Sequence, residues 1–259
     1  MYKRQVLFPC NHKEKDLTEK LIEFAKRTNL DGLILTPPIS DMKELVKDLQ
    51  LEIPLCVVSP GLLTSNPLCV SSDDFKATYN MTCHLIKQGH KKIGFIKGHK
   101  DHGASQHRLD GYLDALSDNN IQIKQENITE GDFSFDSGEI AAKQLLKKGA
   151  SKVTAIFASN DAMAAGVLKA AHKAKINIPN DISLVGFDNS PTASQAWPSI
   201  TTIAQPIEEM ASSAAQILID NISNKSEKKN VNKVFGSELI FRESVKIIKF
   251  IFKLIVIEM

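Results

Sequence analysis

Short runs of apolar, β-branched residues alternate with longer amphipathic segments along almost the whole chain, which restricts the fold to βαβ units around parallel sheets. VLFPC from Val6 and GLILT ending at Thr36 read as strands, and the stretch between them sets Leu17, Leu21, Ile22 and Phe24 at helical spacing. The cycle repeats with a helix over 40–50, strands at PLCVVS from Pro54 and LCVSS from Leu68, a helix over 74–90 stopped by Gly89, and a closing strand KIGFIKG ending at Gly98. A second series follows: helix 105–118, a strand near Ile128, helix 137–148, strand TAIFAS, helix 161–174 and strand ISLVGFD. These strands are nearly all apolar, as expected when helices cover both faces of a sheet.

At 259 residues the chain exceeds the usual size of one core, so the expected class is α/β with two doubly wound parallel-sheet lobes. Helix 207–222 carries Ile207, Met210, Ala214, Ile217 and Leu218 on one side. The lysine-rich stretch SNKSEKKNVNK from Ser223 reads as a solvated linker, and a final strand is expected within VFGSELIFRESV. The terminal IKFIFKLIVIEM is too short and too interrupted by lysine to cross a bilayer. It reads as a strand or an amphipathic tail.

A formal charge of +2, with Lys and Arg spread along the chain, lacks the basic stripe of a nucleic-acid binder. Cys10, Cys56, Cys69 and Cys83 lie among apolar neighbours without metal-ligand spacing and read as buried reduced thiols. No secretory signal is visible at the N-terminus, so a cytoplasmic location is expected. GxSxG, GxxxxGK, GxGxxG and HExxH motifs are all absent, so neither catalysis nor a cofactor is indicated. His99, His102 and His107 crowd one loop at a spacing that fits no common metal site.

In doubly wound sheets ligands bind beyond the carboxyl ends of the strands, which selects the polar residues that end each apolar run. Thr36 ends GLILT, Ser59 ends PLCVVS, Asn160 and Asp161 follow TAIFAS, and Asp188 ends ISLVGFD. Asp161 reads as a helix N-cap. Asn160 and Asp188 suit the hydroxyls of a polyol. Arg108, early in its helix, could fork two hydroxyls or form a surface ion pair with Asp110 or Asp114. Trp197 could stack on a sugar or pack half-buried.

HLIKQGHKKIGFIKG from His84, RLDGYLDAL from Arg108, TAIFASNDAMAAGVLKAA from Thr154, IPNDISLVGFDN from Ile178 and PSITTIAQP from Pro198 occur in order. Together they resemble the successive signatures of the LacI/GalR transcriptional regulators over roughly residues 6–245. The resemblance implies a core similar to periplasmic sugar-binding proteins, with two lobes, three crossovers and a small effector, expected to be a sugar, between the lobes. The crossovers would fall near Gly98, Gln205 and the lysine-rich linker. That makes 6–98 plus 206–224 the N-terminal lobe, 99–205 plus 233–245 the C-terminal lobe, and 246–259 a tail without an assigned role. Arg108, Asn160 and Asp188 fall on the family's effector-contacting positions.

Two departures stand out. Ser59 occupies a place where sugar-responsive members often carry aspartate. The helix-turn-helix, hinge, first strand and first helix that precede the VLFPC region in the family have no counterpart in MYKRQ. Operator DNA would therefore be reached only through an N-terminal head absent here, in an intact homodimer. The alternative is a periplasmic sugar-binding protein of a transport system, against which stand ITTIAQP and the lack of a visible signal peptide. A sugar-processing enzyme is a more distant third.

Overall fold

The computed structural model describes residues 4–61, 68–146, 153–223 and 230–248. Most of the lysine-rich linker, the end of the expected helix 137–148 and most of the apolar tail lie outside the described residues. Along the chain run α1 (Leu17–Thr28), β1 (Leu33–Leu35), α2 (Lys43–Glu52), β2 (Leu55–Val58), β3 (Leu68–Ser72), α3 (Asp74–Lys87), β4 (Ile93–Ile96), α4 (Gly103–Asp118), β5 (Ile128–Thr129) and α5 (Phe135–Leu145). There follow β6 (Ala155–Ala158), α6 (Asp161–Lys173), β7 (Ser183–Val185), α7 (Pro191–Gln195), β8 (Thr202–Ala204), α8 (Ile207–Ser223), β9 (Val231–Phe235) and β10 (Glu238–Ile240). The chain divides into two compact units, Met1–Ser71 with Ile207–Phe235 and Ser72–Pro206 with Gly236–Met259.

In the first unit the sheet order is β1-β2-β3-β9, with β1, β2 and β3 parallel through Leu33↔Leu55 and Val57↔Cys69. The two-residue alternation of the strands sorts the core. Leu35, Leu55, Val57 and Cys69 meet Leu17 and Leu21 of α1 and Leu45, Val46 and Leu49 of α2. Cys56, Leu68 and Val70 meet Met210, Ala214 and Leu218 of α8. Cys56 and Cys69 thus belong to opposite faces, and burial pushes the Cys56 thiol up to about 12. All four cysteines are free, but Cys10 is exposed, against the expectation of burial.

VLFPC is not a strand. Residues 6–10 form no regular element, and Val6 and Leu7 stand in solvent while Phe8 packs against Phe24 at a ring separation of 4.4 Å. An extended segment becomes a strand only when a neighbour takes its backbone hydrogen bonds, and no described strand pairs with this one.

The second unit is built on a parallel sheet of order β5-β4-β6-β7. Phe95, Phe157 and Val185 point to α3 and α4, where they pack on Met81, Leu85, Leu109 and Tyr112. Ile96, Ile156 and Leu184 point the other way, to Ala141, Ala142, Met163 and Val167 of α5 and α6. KIGFIKG is therefore a central strand of this sheet and not the closing strand of the first series. The unit begins at Ser72, not after Gly98, because α3 packs on α4 and β4 lies between β5 and β6.

The expected final strand is two. β9 joins the first unit's sheet, and β10 pairs antiparallel with β8 in the second unit. The start of the tail also has a role. Ser244 Oγ donates to the Leu184 carbonyl at 2.5 Å and accepts from Thr201 N at 2.8 Å, and Lys246 N and Ile248 N donate to Ser183 Oγ and the Gln88 carbonyl. No described helix is long and apolar enough to cross a membrane.

Helices α5 and α6 pack backbone to backbone. A Cβ on Gly138 would run into the Met163 backbone, and one on Gly166 into the Phe135 carbonyl. Gly138→Ala is expected to destabilise the second unit by about 1–3 kcal/mol through overpacking. The helix propensity of alanine would recover only about 1 kcal/mol of this. Urea unfolding monitored by circular dichroism measures the difference.

Candidate functional site

Four strand ends and one helix of the second unit bring its polar residues together. Arg108, on the buried face of α4, is 5% exposed, so it forms no surface ion pair with Asp110 or Asp114. Its Nε donates to Asp74 Oδ2 at 2.9 Å and its Nη1 to the Ser159 carbonyl at 2.5 Å. The guanidinium carbon lies 3.6 Å from the centroid of the Phe187 ring and 5.7 Å from that of Phe133, a cation–π arrangement that adds to its fixation. Nη2 points to Asp188 Oδ1 at 3.8 Å, too long for a hydrogen bond. That separation leaves Nη2 unbonded to Asp188 and beside a carboxylate oxygen that can accept a further hydrogen bond.

Asp188 follows β7 with φ 108°, and Asn189 follows with φ 54°. The conformation is held from several sides. Asp188 N donates to the Ile203 carbonyl at 2.8 Å, Gln205 Nε2 donates to Asp188 Oδ1 at 2.9 Å, and Arg242 Nη2 donates to Asn189 Oδ1 at 2.6 Å. Burial pushes the Asp188 carboxyl up to about 6, with Asp161 and Asp74 adding to the rise while Arg108 and Gln205 oppose it. A non-glycine residue at positive φ carrying a perturbed carboxyl is a combination that clusters at functional positions.

Of the neighbouring pair Asn160 and Asp161, the residue that caps the helix is Asn160 and not, as expected, Asp161. Asn160 is the N-cap of α6, its Oδ1 accepting from Met163 N at 2.9 Å while its Nδ2 donates to the Phe133 carbonyl at 2.9 Å. Asp161 is no cap. It lies buried at the start of α6 and accepts from Thr202 Oγ1 at 2.6 Å and Ser190 N at 2.8 Å, which ties down the loop carrying Asp188. Burial raises its carboxyl, and the bonds from Thr202 and Ser190 offset part of the rise.

The remaining candidates lie elsewhere. Trp197 is 88% exposed and lines a surface cavity of about 420 Å³ with Leu168, His172, Ile178 and Glu243, apart from Arg108 and Asp188. Thr36 and Ser59 follow β1 and β2 in the first unit, Thr36 exposed and Ser59 at φ 47° with its N donating to the Val70 carbonyl at 2.7 Å. Among the described residues no group of three His, Cys, Asp or Glu is arranged to hold a metal.

Sequence reading missed Phe133, Asp74, Ser72 and Gln205. Phe133 has φ 70°, and its ring packs on Gly98, where a Cβ would overlap it. Glycine at 98 is what lets this aromatic lie beside Arg108. A bulky residue preceded by Gly131 and Asp132 in a strand-end loop was the available signal. Asp74 could have been suspected from SSDD at the start of α3, but its partner on α4 is visible only in three dimensions.

Residues 82–245 match the family of periplasmic binding protein-like domains. The chain is 32% identical over 248 residues to the HTH-type transcriptional repressor PurR of Vibrio atlanticus (strain LGP32), covering 93% of this chain and 72% of that protein. It is 33% identical over 232 residues to the HTH-type transcriptional regulator MalR of Clostridium butyricum, covering 87% and 68%. Among solved structures, a transcriptional regulator CelR–cellobiose complex superimposes with a TM-score of 0.82 at 29% identity, covering 90% of this chain and 71% of that one. A LacI-family regulator from Enterococcus faecium with bound ribose gives a TM-score of 0.77 at 27% identity, covering 89% and 85%.

Proposed function

The chain belongs to the LacI/GalR family of transcriptional regulators, and from that membership we propose that its second unit binds a neutral polyhydroxylated small molecule, most simply a sugar, at Arg108, Asp188 and Phe133. The observation that carries this reading is the pairing of Arg108 Nη2 with Asp188 Oδ1 at 3.8 Å, a donor and an acceptor side by side on a rigid support. A hydroxyl both accepts and donates, so one such group bridges them. Asp74 and Asp188 set two carboxylates beside one guanidinium, and that excess of negative charge disfavours an anionic ligand. Phe133 offers an aromatic face to the apolar side of a ring. Asn160 supplies its second Nδ2 hydrogen.

In the intact regulator, a homodimer, ligand occupancy alters operator affinity through N-terminal DNA-binding heads in the cytoplasm, without catalysis. Coupling of this kind requires that the ligand bind two conformations with different affinity. The relatives bound to cellobiose and ribose support a sugar over a peptide or nucleic-acid ligand.

A thermal-shift panel of neutral mono- and disaccharides, nucleosides and sugar phosphates tests the reading. A compound at 100 times its Kd adds about 2.7 kcal/mol to stability, a rise of roughly 5–10 °C in melting temperature. At least one neutral polyol is expected to do so, and its phosphorylated counterpart is not. Stabilisation by sugar phosphates alone would overturn the proposed ligand class.

A further inference from the structure

Hydrogen accounting around Asp188 leaves a conflict that a single side chain resolves. Ser72 Oγ lies within hydrogen-bond reach of both Asp74 Oδ1 and Gln205 Oε1, the latter at 2.9 Å. A hydroxyl has one proton, so it serves only one of these acceptors at a time. Gln205 Nε2 meanwhile donates to Asp188 Oδ1 at 2.9 Å. The five groups form a closed chain, Ser72, Asp74, Arg108, Asp188 and Gln205, because Arg108 Nε also holds Asp74 and its Nη2 faces Asp188.

We propose that Gln205 is a positioning residue for this site: by turning its side-chain amide over, it relays the charge state of Asp188 to Ser72 and Asp74, where the chain first enters the second unit. With Asp188 ionised, Nε2 donates to it, Oε1 accepts from the Ser72 hydroxyl, and Asp74 keeps only its Arg108 bond. With Asp188 protonated, its hydroxyl donates to Oε1. Nε2 then turns to donate to Ser72 Oγ, and the Ser72 hydroxyl donates to Asp74 Oδ1. The two ends of the amide have nearly the same shape, so the exchange needs no repacking.

The location gives the relay a use. Ser72 opens the second unit and Gln205 precedes Pro206, its last residue before the chain passes to α8. Two of the three crossover segments therefore answer to the ligand-facing carboxylate. This use rests on the ligand reading above, whereas the relay itself is measurable without ligand. The charged groups facing Asp188 are Arg108 from α4, Asp74 from α3 and Asp161 from α6, with Arg242 reaching the same loop through Asn189. Asp188 is the one among them whose carboxyl is pushed up to about 6.

The test is an NMR titration of the ligand-free 259-residue chain between pH 4.5 and 8, following the Asp188 carboxyl carbon, the Gln205 side-chain amide and the backbone amides of Ser72–Asp74. In the wild type all three are expected to share one midpoint. In Gln205→Met, and separately in Ser72→Ala, Asp188 still titrates but the Ser72–Asp74 transition falls to less than half its amplitude. Full amplitude in either variant, or no transition at the Asp188 midpoint in the wild type, overturns the relay. Should Gln205→Met fail to fold, the near-isosteric Ser72→Ala decides alone.

Discussion

Arg108→Met is expected to cost about 3–5 kcal/mol of stability, the usual consequence of removing one partner of a buried ion pair. Asp74 is 5% exposed, and without Nε of Arg108 its carboxylate keeps only the contested Ser72 hydroxyl. The Ser159 carbonyl also loses its donor, and Phe187 loses the cation over its ring. Over a unit of this size the melting temperature should fall by roughly 10 °C. The companion variant Arg108→Met with Asp74→Leu should recover most of the loss, because removing both members of a buried pair is far less costly than stranding one. Urea unfolding of the four proteins in the cycle measures the coupling. A single variant within 1 kcal/mol of wild type would show that the pair contributes little.

The second large effect has opposite signs in stability and in binding. Asp188→Asn is expected to raise the melting temperature at pH 8 while weakening ligand. In the folded chain the carboxyl is pushed up to about 6 from its ordinary 3.8, chiefly by removal from water, although its side chain keeps 37% exposure and solvent screens part of the effect. A group with a raised folded value binds protons more readily when folded. Wild-type stability from this group is therefore greatest below about pH 4, is lost as pH rises toward 6, and changes no further above that. The asparagine variant lacks this loss, so its advantage should grow from pH 4 to pH 6 and then level off. Asparagine also accepts positive φ, so no backbone penalty intervenes. Melting curves at several pH values check the sign. A variant equally or less stable than wild type at pH 8 would contradict the assignment of a raised carboxyl to Asp188. Binding should suffer, because losing a charged hydrogen-bond acceptor costs about 1.5–3 kcal/mol.

The fold was largely legible because its signals are local. Runs such as AIFA and SLV state a strand buried on both faces, and α6 and α8 show their apolar stripes in one dimension. What failed depended on partners. VLFPC has strand composition but no strand beside it, and KIGFIKG has the same composition whether it closes one sheet or centres the next. Only the packing of α3 on α4 decides the latter.

The site divides along the same line. Arg108 and Asp188 could be picked from strand ends and from family resemblance, and the structure brings them within 3.8 Å. The cap was assigned to Asp161 and belongs to Asn160, because both residue types can cap a helix. The choice turns on Thr202 and Ser190, which hold Asp161 from far along the chain. Trp197 was plausible by chemistry alone, and the folded loop carries it away from Arg108. Gln205 gave no signal, since a glutamine before proline reads as a turn until its two ends are seen to face different acids or hydroxyls.

The most direct measurement is calorimetric titration of the most stabilising neutral sugar or nucleoside into wild type and Asp188→Asn at pH 7.5. The expected result is one ligand per chain, with at least about tenfold weaker binding to the variant. Equal affinity for the two proteins, or tighter binding of the phosphorylated counterpart to wild type, would place the ligand away from Arg108 and Asp188 and contradict the account.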